Sequence, residues 1–452
     1  HRDIAMPESA QYPASATSRV NALHFHTERE TLFNELHARP FPVLATPAHL
    51  SQLVLLPARD QPSAEYQHLL ELCQRYAVLP PSPHSSCYYQ NFGGFELRWE
   101  RHAEFSTYTM ISQSQGEDAF SRTALMLLPE SWLEQLPGLL IGATHIEIAH
   151  APASPPSPND MRVHFEGQRL ISSRVNDDRA RLWSAYRIHS DGAGRMLIHN
   201  QGLNPCQTGR LVRTLLEMET YRMMLLLALP PAKAIAPQIK AMDQQLAAAI
   251  QQINLIRGLD DERRLLSELT SLAARVEQLS ADNNFRFSAA RAYHELIIKR
   301  LDELREQEYP GLQTFSEFLK RRLTPAWRTC EAADLGLDDL SRRIDRASEL
   351  LRTRIDLTIE TQNQQLIQTM NRRSHAQWRL QQTVEGLSVA AISYYLVGLS
   401  KYLAESAEKI GLISSSTLAT GIAVPVCVAM VWLGMRRLKR KLYTKDVVYP
   451  VR

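Results

Sequence analysis

The side chains able to do chemistry gather in four strings. The first is Asn34-Glu35-Leu36-His37-Ala38-Arg39-Pro40-Phe41, and the second is Trp99-Glu100-Arg101-His102-Ala103-Glu104-Phe105. In an extended chain alternate residues share a side, so Glu35, His37 and Arg39 would project together, as would Glu100, His102 and Glu104. Carboxylates and imidazoles so spaced suit a divalent metal. They equally suit charge-assisted pairs that tie a loop to a sheet, and this is the expectation taken forward. Asn34–Phe41 is expected to pack near Trp99–Phe105, with Arg39 neutralised by Glu100 or Glu104. Pro40 fixes the end of the extended segment. No metal and no cofactor is expected here.

The third string runs from Gly209-Arg210-Leu211-Val212 to Leu216-Glu217-Met218-Glu219-Thr220-Tyr221-Arg222. On a helix, Glu217 and Glu219 with Arg210, Arg213 and Arg222 read as helix-face ion pairs rather than a catalytic carboxylate pair, Arg213 lying four residues from Glu217 and Arg222 three from Glu219. The fourth is Arg379-Leu380-Gln381-Gln382-Thr383-Val384-Glu385-Gly386-Leu387-Ser388. Phosphate loops, dinucleotide fingerprints, nucleophile elbows and His-Glu-x-x-His are all missing from the chain. The chain is therefore read as not an enzyme.

The elements that must position these strings change character along the chain. Up to about residue 200 the reading is α+β, with strands at Leu53–Leu56, Phe95–Trp99, Phe105–Ile111, Ala124–Leu128, Leu140–Ala149, Arg169–Arg174, Leu182–His189 and Arg195–His199. Asp191-Gly192-Ala193-Gly194 suits a hairpin turn, and helices fit Ser63–Tyr76 and Pro129–Gln135. From Thr208 helical periodicity takes over, with helices at Ile239–Ile256, Asp260–Leu279 and Phe285–Glu306 and breaks at Pro230-Pro231, Gly258 and Pro310-Gly311. From Pro325 to Leu380 a single long helix is expected, on the order of 65 Å before the membrane if unbroken beyond Gly336. Leu340, Ile344, Ala347, Leu351, Ile355, Ile359, Leu366 and Met370 form a narrow apolar seam along it, which suits self-association about a symmetry axis, with some partners from its own chain.

Two apolar stretches close the chain, about Gly386–Leu403 and Leu412–Met435. A helix needs about 20 apolar residues to cross a hydrocarbon core roughly 30 Å thick. Arg372, Arg373 and Arg379 precede the pair, and Arg436, Arg437, Lys439, Arg440, Lys441 and Lys445 follow it, so both ends are expected to be cytoplasmic. On the first span Glu385, Ser388, Ile392, Tyr395, Leu399 and Tyr402 share one face. That face reads either as helix packing with an interfacial tyrosine belt or as a pore wall with Glu385 at its mouth. The lipid bilayer is the first expected partner.

Over 452 residues the formal net charge is only +3, and no basic stripe or zinc-finger spacing points to nucleic acid. The five cysteines are scattered, as reduced thiols in a cytosolic body would be. No charged start followed by an apolar run marks a cleaved signal peptide, and the first residue is His1 rather than Met. The segments expected are a cytoplasmic α+β domain (1–205), a helical domain (206–323), a long stalk helix (324–385), a transmembrane hairpin (386–435) and a basic cytoplasmic tail (436–452).

At the four strings the chain resembles a bacterial family of predicted membrane-anchored proteins, domain of unknown function 3422. The resemblance implies the membrane anchor and assigns no chemistry. In architecture the chain also resembles the CorA family of divalent-cation channels, pentamers whose first membrane helix lines the pore. That family carries Gly-Met-Asn where its first membrane helix ends, whereas here the stretch reads Val397-Gly398-Leu399-Ser400-Lys401-Tyr402. The resulting expectation is a homo-oligomer in the bacterial inner membrane, a pentamer if CorA-like, acting as a cation channel or ion-regulated assembly. The alternative is a non-conducting anchored scaffold recruiting a cytoplasmic protein partner.

Overall fold

The computed structural model describes residues 24–29, 32–33, 43–57, 63–113, 118–256, 258–410 and 412–443. Among these, β1 (Ala48–Leu56), β2 (Cys87–Asn91), β3 (Glu96–Arg101), β4 (Ser106–Gln113), β5 (Leu139–His150), β6 (Ile171–Val175), β7 (Ala180–Ile188), β8 (Gly194–Asn200) and β9 (Gln307–Glu308) form one sheet. The order is β2-β3-β4-β1-β5-β8-β7-β6-β9, and every neighbouring pair is antiparallel except β5–β8. The central strands β1 and β4 are buried along nearly their whole length, as strands covered on both faces must be.

Alternation along β1 shows how both faces are filled. Leu53 and Leu55 join Leu97, Trp99, Tyr108 and Met110 in a core completed by Leu69, Leu72 and Cys73 of α1 (Ala64–Arg75). Val54 points the other way and packs with Phe105 and with Met224 of α2 (Pro205–Leu226). A third cluster, around Trp183, Phe165 and Leu197, fills the β6–β8 half of the sheet. Helix α2 starts where a capping box dictates. Asn204 Oδ1 accepts from the Gln207 N–H at 2.9 Å, the Gln207 side chain accepts from the Asn204 N–H at 3.0 Å, and Pro205 takes the first position.

Three longer helices and a final one follow: α3 (Leu229–Ile253), α4 (Leu259–Glu303), α5 (Phe315–Lys409) and α6 (Ser416–Tyr443). Contacts divide the chain into two units, His1–Ile250 with Leu269–Arg346, and Gln251–Glu268 with Ala347–Arg452. In the first, α5 is tied to α3 by Arg343–Asp243 at 2.5 Å and to α4 by Arg291–Asp334 at 2.6 Å. In the second, Arg354 of α5 donates to Glu262 of α4 at 3.0 Å, to the Ile256 carbonyl at 2.9 Å and to the Ile253 carbonyl.

Several local expectations are corrected. The strand expected at Ala124–Leu128 is a 3-10 turn over Ala124–Leu127: the segment is apolar, but Leu125 N–H donates to the buried Ser51 hydroxyl instead of to a neighbouring strand. The expected break between Leu279 and Phe285 is absent. No glycine or proline lies there, and the side chains stay within the helix: Asn283 donates back to the Leu279 carbonyl and Gln278 donates forward to Asp282 Oδ1. Pro230 and Pro231 open α3 rather than interrupt it, since the first turn has no intrahelical partner for their missing N–H groups. Helix α5 begins ahead of Pro325 because Thr314 and Glu317 cap its start reciprocally.

The seam on α5 has two parts. Leu340, Ile344, Ala347, Leu351 and Ile355 are buried within this chain and Ile359 is half-buried, whereas Leu366 and Met370 are about 60% and 59% exposed. Beyond them α5 and α6 are both long and apolar enough to cross a membrane, and only 11% and 6% of their apolar windows are buried. The core helix of a soluble protein would be mostly covered; these are not.

Candidate functional site

The first string, with Asn34, Glu35, His37, Arg39 and Pro40, lies outside the described residues. The second is only partly extended. The chain turns at His102–Phe105, where the His102 N–H donates to the Phe105 carbonyl at 2.8 Å, so Glu100, His102 and Glu104 do not share one strand face. Glu100 accepts from Arg98 at 2.8 Å, Glu104 pairs with Arg286 at 3.1 Å and accepts from Tyr293 Oη at 2.7 Å, and His102 stacks on Phe105. Among the described residues no three His, Cys, Asp or Glu side chains converge as a metal ion needs.

The third string has two functional faces on α2. One lines a cavity of about 600 Å³ together with the β6–β7 turn and the end of α4. Five arginines (Arg179, Arg210, Arg213, Arg300, Arg305) face three carboxylates (Asp177, Glu217, Glu303) there. Arg213 donates to Glu217 at 2.7 Å, Arg300 to Glu217 at 2.6 Å and to Glu303 at 2.7 Å, and Arg305 to Asp177 at 3.1 Å. Burial opposes the Arg300 charge, but the hydrogen bond to Glu303 and the charge of Glu217 outweigh it and raise its pKa. Asn176 and Asp177, at φ 51° and 60°, and Arg305, at φ 46°, adopt the left-handed backbone that side chains other than Gly, Asn and Asp rarely take.

The other face of α2 lines a cavity of about 460 Å³ with β5, β7 and β8. A Cβ at Gly142 of β5 would reach ordinary van der Waals contact with Met223 and Val54, at 3.7 Å. Tyr186 sits on a bulge of β7, where the pairing with β8 shifts between Ser184 and Ile188, and has φ 47°. Its ring stacks on Phe318 and lies under the Arg222 guanidinium, which donates to Glu219 at 2.6 Å. Burial and the Glu219 charge push the Tyr186 phenol well above its usual pKa, so it cannot serve as a base at neutral pH. Burial works against the Arg222 charge, and Glu219 more than offsets it.

Ser51 Oγ and His145 Nδ1 lie 2.8 Å apart inside the sheet, the spacing of an activated nucleophile. Ser51 is 0% exposed, however, so no substrate reaches it. Burial lowers the His145 pKa to about 4, with the Asp191 charge acting in the opposite direction.

In the first apolar segment, α6 covers the side of α5 bearing Ser393, Val397 and Ser400, with Ser400 Oγ 3.7 Å from Cys427 Sγ. Gly386 and Ala390 line the groove between the two helices. The face proposed for a pore is turned away: Ile392, Tyr395, Leu399 and Tyr402 are exposed, and Glu385 and Ser388 are half-exposed.

Sequence alone found α2 and its ion pairs but not Arg179, Arg300, Arg305 or Tyr186. For Arg179 a signal existed, because Asn176-Asp177-Asp178 is a run that tolerates left-handed backbone and marks a tight turn. For Tyr186 there was none.

Sheet, long helices and two helices able to cross a membrane define a mixed α+β body joined in sequence to an apolar C-terminal helix pair. The family model for a protein of unknown function (DUF3422) matches residues 24–442, and the chain belongs to that family. No curated protein and no solved structure matches it.

Proposed function

We propose that this chain is a membrane-anchored homo-oligomer of the bacterial inner membrane, with both termini cytoplasmic, acting as an ion-conducting or ion-regulated assembly. The observation behind this reading is the uncovered face of the first span. Polar groups inside a membrane are normally turned toward protein or water. Ser388, Tyr395 and Tyr402 instead lie on the side that α6 leaves open. Copies arranged about an axis would cover that face, and the exposed Leu366 and Met370 continue it toward the body. A CorA-like pentamer is the most specific form of this reading.

A second reading, a non-conducting scaffold for a cytoplasmic protein, draws on Ile392 and Leu399, which share the open face and would seal an axis, and on Lys401, whose side chain is 61% exposed. Native mass measurement in detergent tests assembly, and a clean monomer ends both oligomeric readings. Cation flux into vesicles carrying the purified chain then separates them. Flux lost in Ser388→Leu supports conduction, while its absence from an intact oligomer leaves the scaffold.

A further inference from the structure

We propose that the arginine-lined cavity beside α2 binds a soluble small molecule carrying phosphate groups. This is independent of the membrane reading, because every residue used lies in the body. Five arginines against three carboxylates leave two positive charges without compensation. Those charges are assigned by the geometry. Arg213, Arg300 and Arg305 are committed to Glu217, Glu303 and Asp177, whereas the side chains of Arg179 and Arg210 make no hydrogen bond or ion pair among the described residues.

The β6–β7 turn and the first turns of α2 each contribute one exposed, unpaired arginine to the lining of a cavity of about 600 Å³. That volume lies within the range of about 300–1,000 Å³ common to small-molecule sites. A planar guanidinium fork matches two oxygens of a phosphate group, and two forks lining one cavity suit a group with two or more negative charges. The paired arginines have a different role: their carboxylates hold them in place, so the wall is ordered before a ligand arrives.

The test is calorimetric titration of the full chain in detergent with inorganic pyrophosphate, and separately with a short-chain phosphatidic acid below its micelle concentration. Saturable pyrophosphate binding is expected, weakened at least tenfold by Arg210→Gln or Arg179→Gln and lost in the double variant. Because neither side chain pairs with anything described, the unliganded melting temperature should stay within a degree or two of wild type. If the double variant fails to fold, Arg210→Lys decides. It keeps the charge but loses the fork, and binding should weaken by about tenfold. Saturable binding of phosphatidic acid alone, lost in the same variants, would assign the phosphate to a lipid headgroup and overturn the soluble ligand. Absence of saturable binding, or binding that survives the double variant, overturns the site.

Discussion

Arg300 of α4 and Glu217 of α2 meet at 2.6 Å with side chains about a fifth exposed, and through Glu217 the same network takes in Arg213. This pair ties the end of a long helix to the helix packed on the sheet. Glu217→Gln should cost about 1–3 kcal/mol, since the amide keeps one acceptor oxygen but removes the charge and the second oxygen that Arg213 and Arg300 share. Urea melts of Arg300→Ala, Glu217→Ala and the double variant give the coupling directly. Losses that add to within about 0.5 kcal/mol would mean that the pair contributes nothing.

Arg354 is expected to be the most sensitive position in the second unit. Its guanidinium reaches Glu262, which is 2% exposed, and two carbonyls at the end of α3. Lysine carries its three donors on a single nitrogen and cannot reach acceptors met separately by Nε, Nη1 and Nη2 of the guanidinium. Arg354→Ala leaves a buried carboxylate without its countercharge, at about 3–5 kcal/mol, and Arg354→Lys should recover less than half of that. A thermal melt of Arg354→Lys indistinguishable from wild type would refute the fork.

Acid should destabilise the first unit through buried histidines. His68, His145 and His199 all have pKa values lowered from 6.5 to about 4, in each case chiefly by burial. Their folded pKa values lie below the unfolded ones, so between pH 6.5 and 4 the unfolded chain binds protons that the folded chain does not. Stability therefore falls with pH across that window, by on the order of 2–3 kcal/mol per histidine when complete. His68→Phe retains a ring to stack on Trp132 and removes one titrating site. The slope of urea midpoint against pH should flatten in that variant, and an unchanged slope would exclude His68 as a contributor.

What the sequence made legible was local. The Asp191–Gly194 hairpin turn and the α2 pairs Arg213–Glu217 and Arg222–Glu219 follow from spacing alone and are present, whereas Arg210, expected in the same pairing, makes no ion pair among the described residues. What was illegible was assembled from distance. The arginine cavity draws on positions 179, 210 and 300, and β9 is two residues long, recognisable only because it pairs with β6. Tyr186 occupies a bulge that its own sequence, Ser184-Ala185-Tyr186-Arg187, gives no reason to expect. Periodicity also could not say where along α5 the seam stops being satisfied by its own chain.

Tyr186 tests whether that bulge is built for packing. Its hydroxyl is buried without a hydrogen bond among the described residues, while its ring meets Phe318, Phe315 and Arg222. Tyr186→Phe should therefore change stability by less than about 1 kcal/mol, and Tyr186→Ala should cost about 3–5 kcal/mol. Circular dichroism melts of the two variants suffice. A large loss in Tyr186→Phe would show that the phenol oxygen holds Glu219 after all.

The two parts of the α5 seam should respond differently to the same insult. Ile355 is 9% exposed and Leu351 is 0% exposed, so a carboxylate at either is forced into this chain's own core without a partner. Ile355→Asp should lower the melting temperature of the chain whatever its oligomeric state. Leu366 and Met370 touch little in their own chain, and a charge there disturbs only a neighbour that covers them. Leu366→Asp and Met370→Asp should leave the body's melting unchanged and shift the native mass in detergent toward monomer. If both variants kept the wild-type mass, the upper seam would not be an interface, and self-association would have to rest on the Ser388–Tyr402 face alone. If instead Leu366→Asp unfolded the body, the exposed seam would be packing on this chain in solution, against the arrangement of α5 described above.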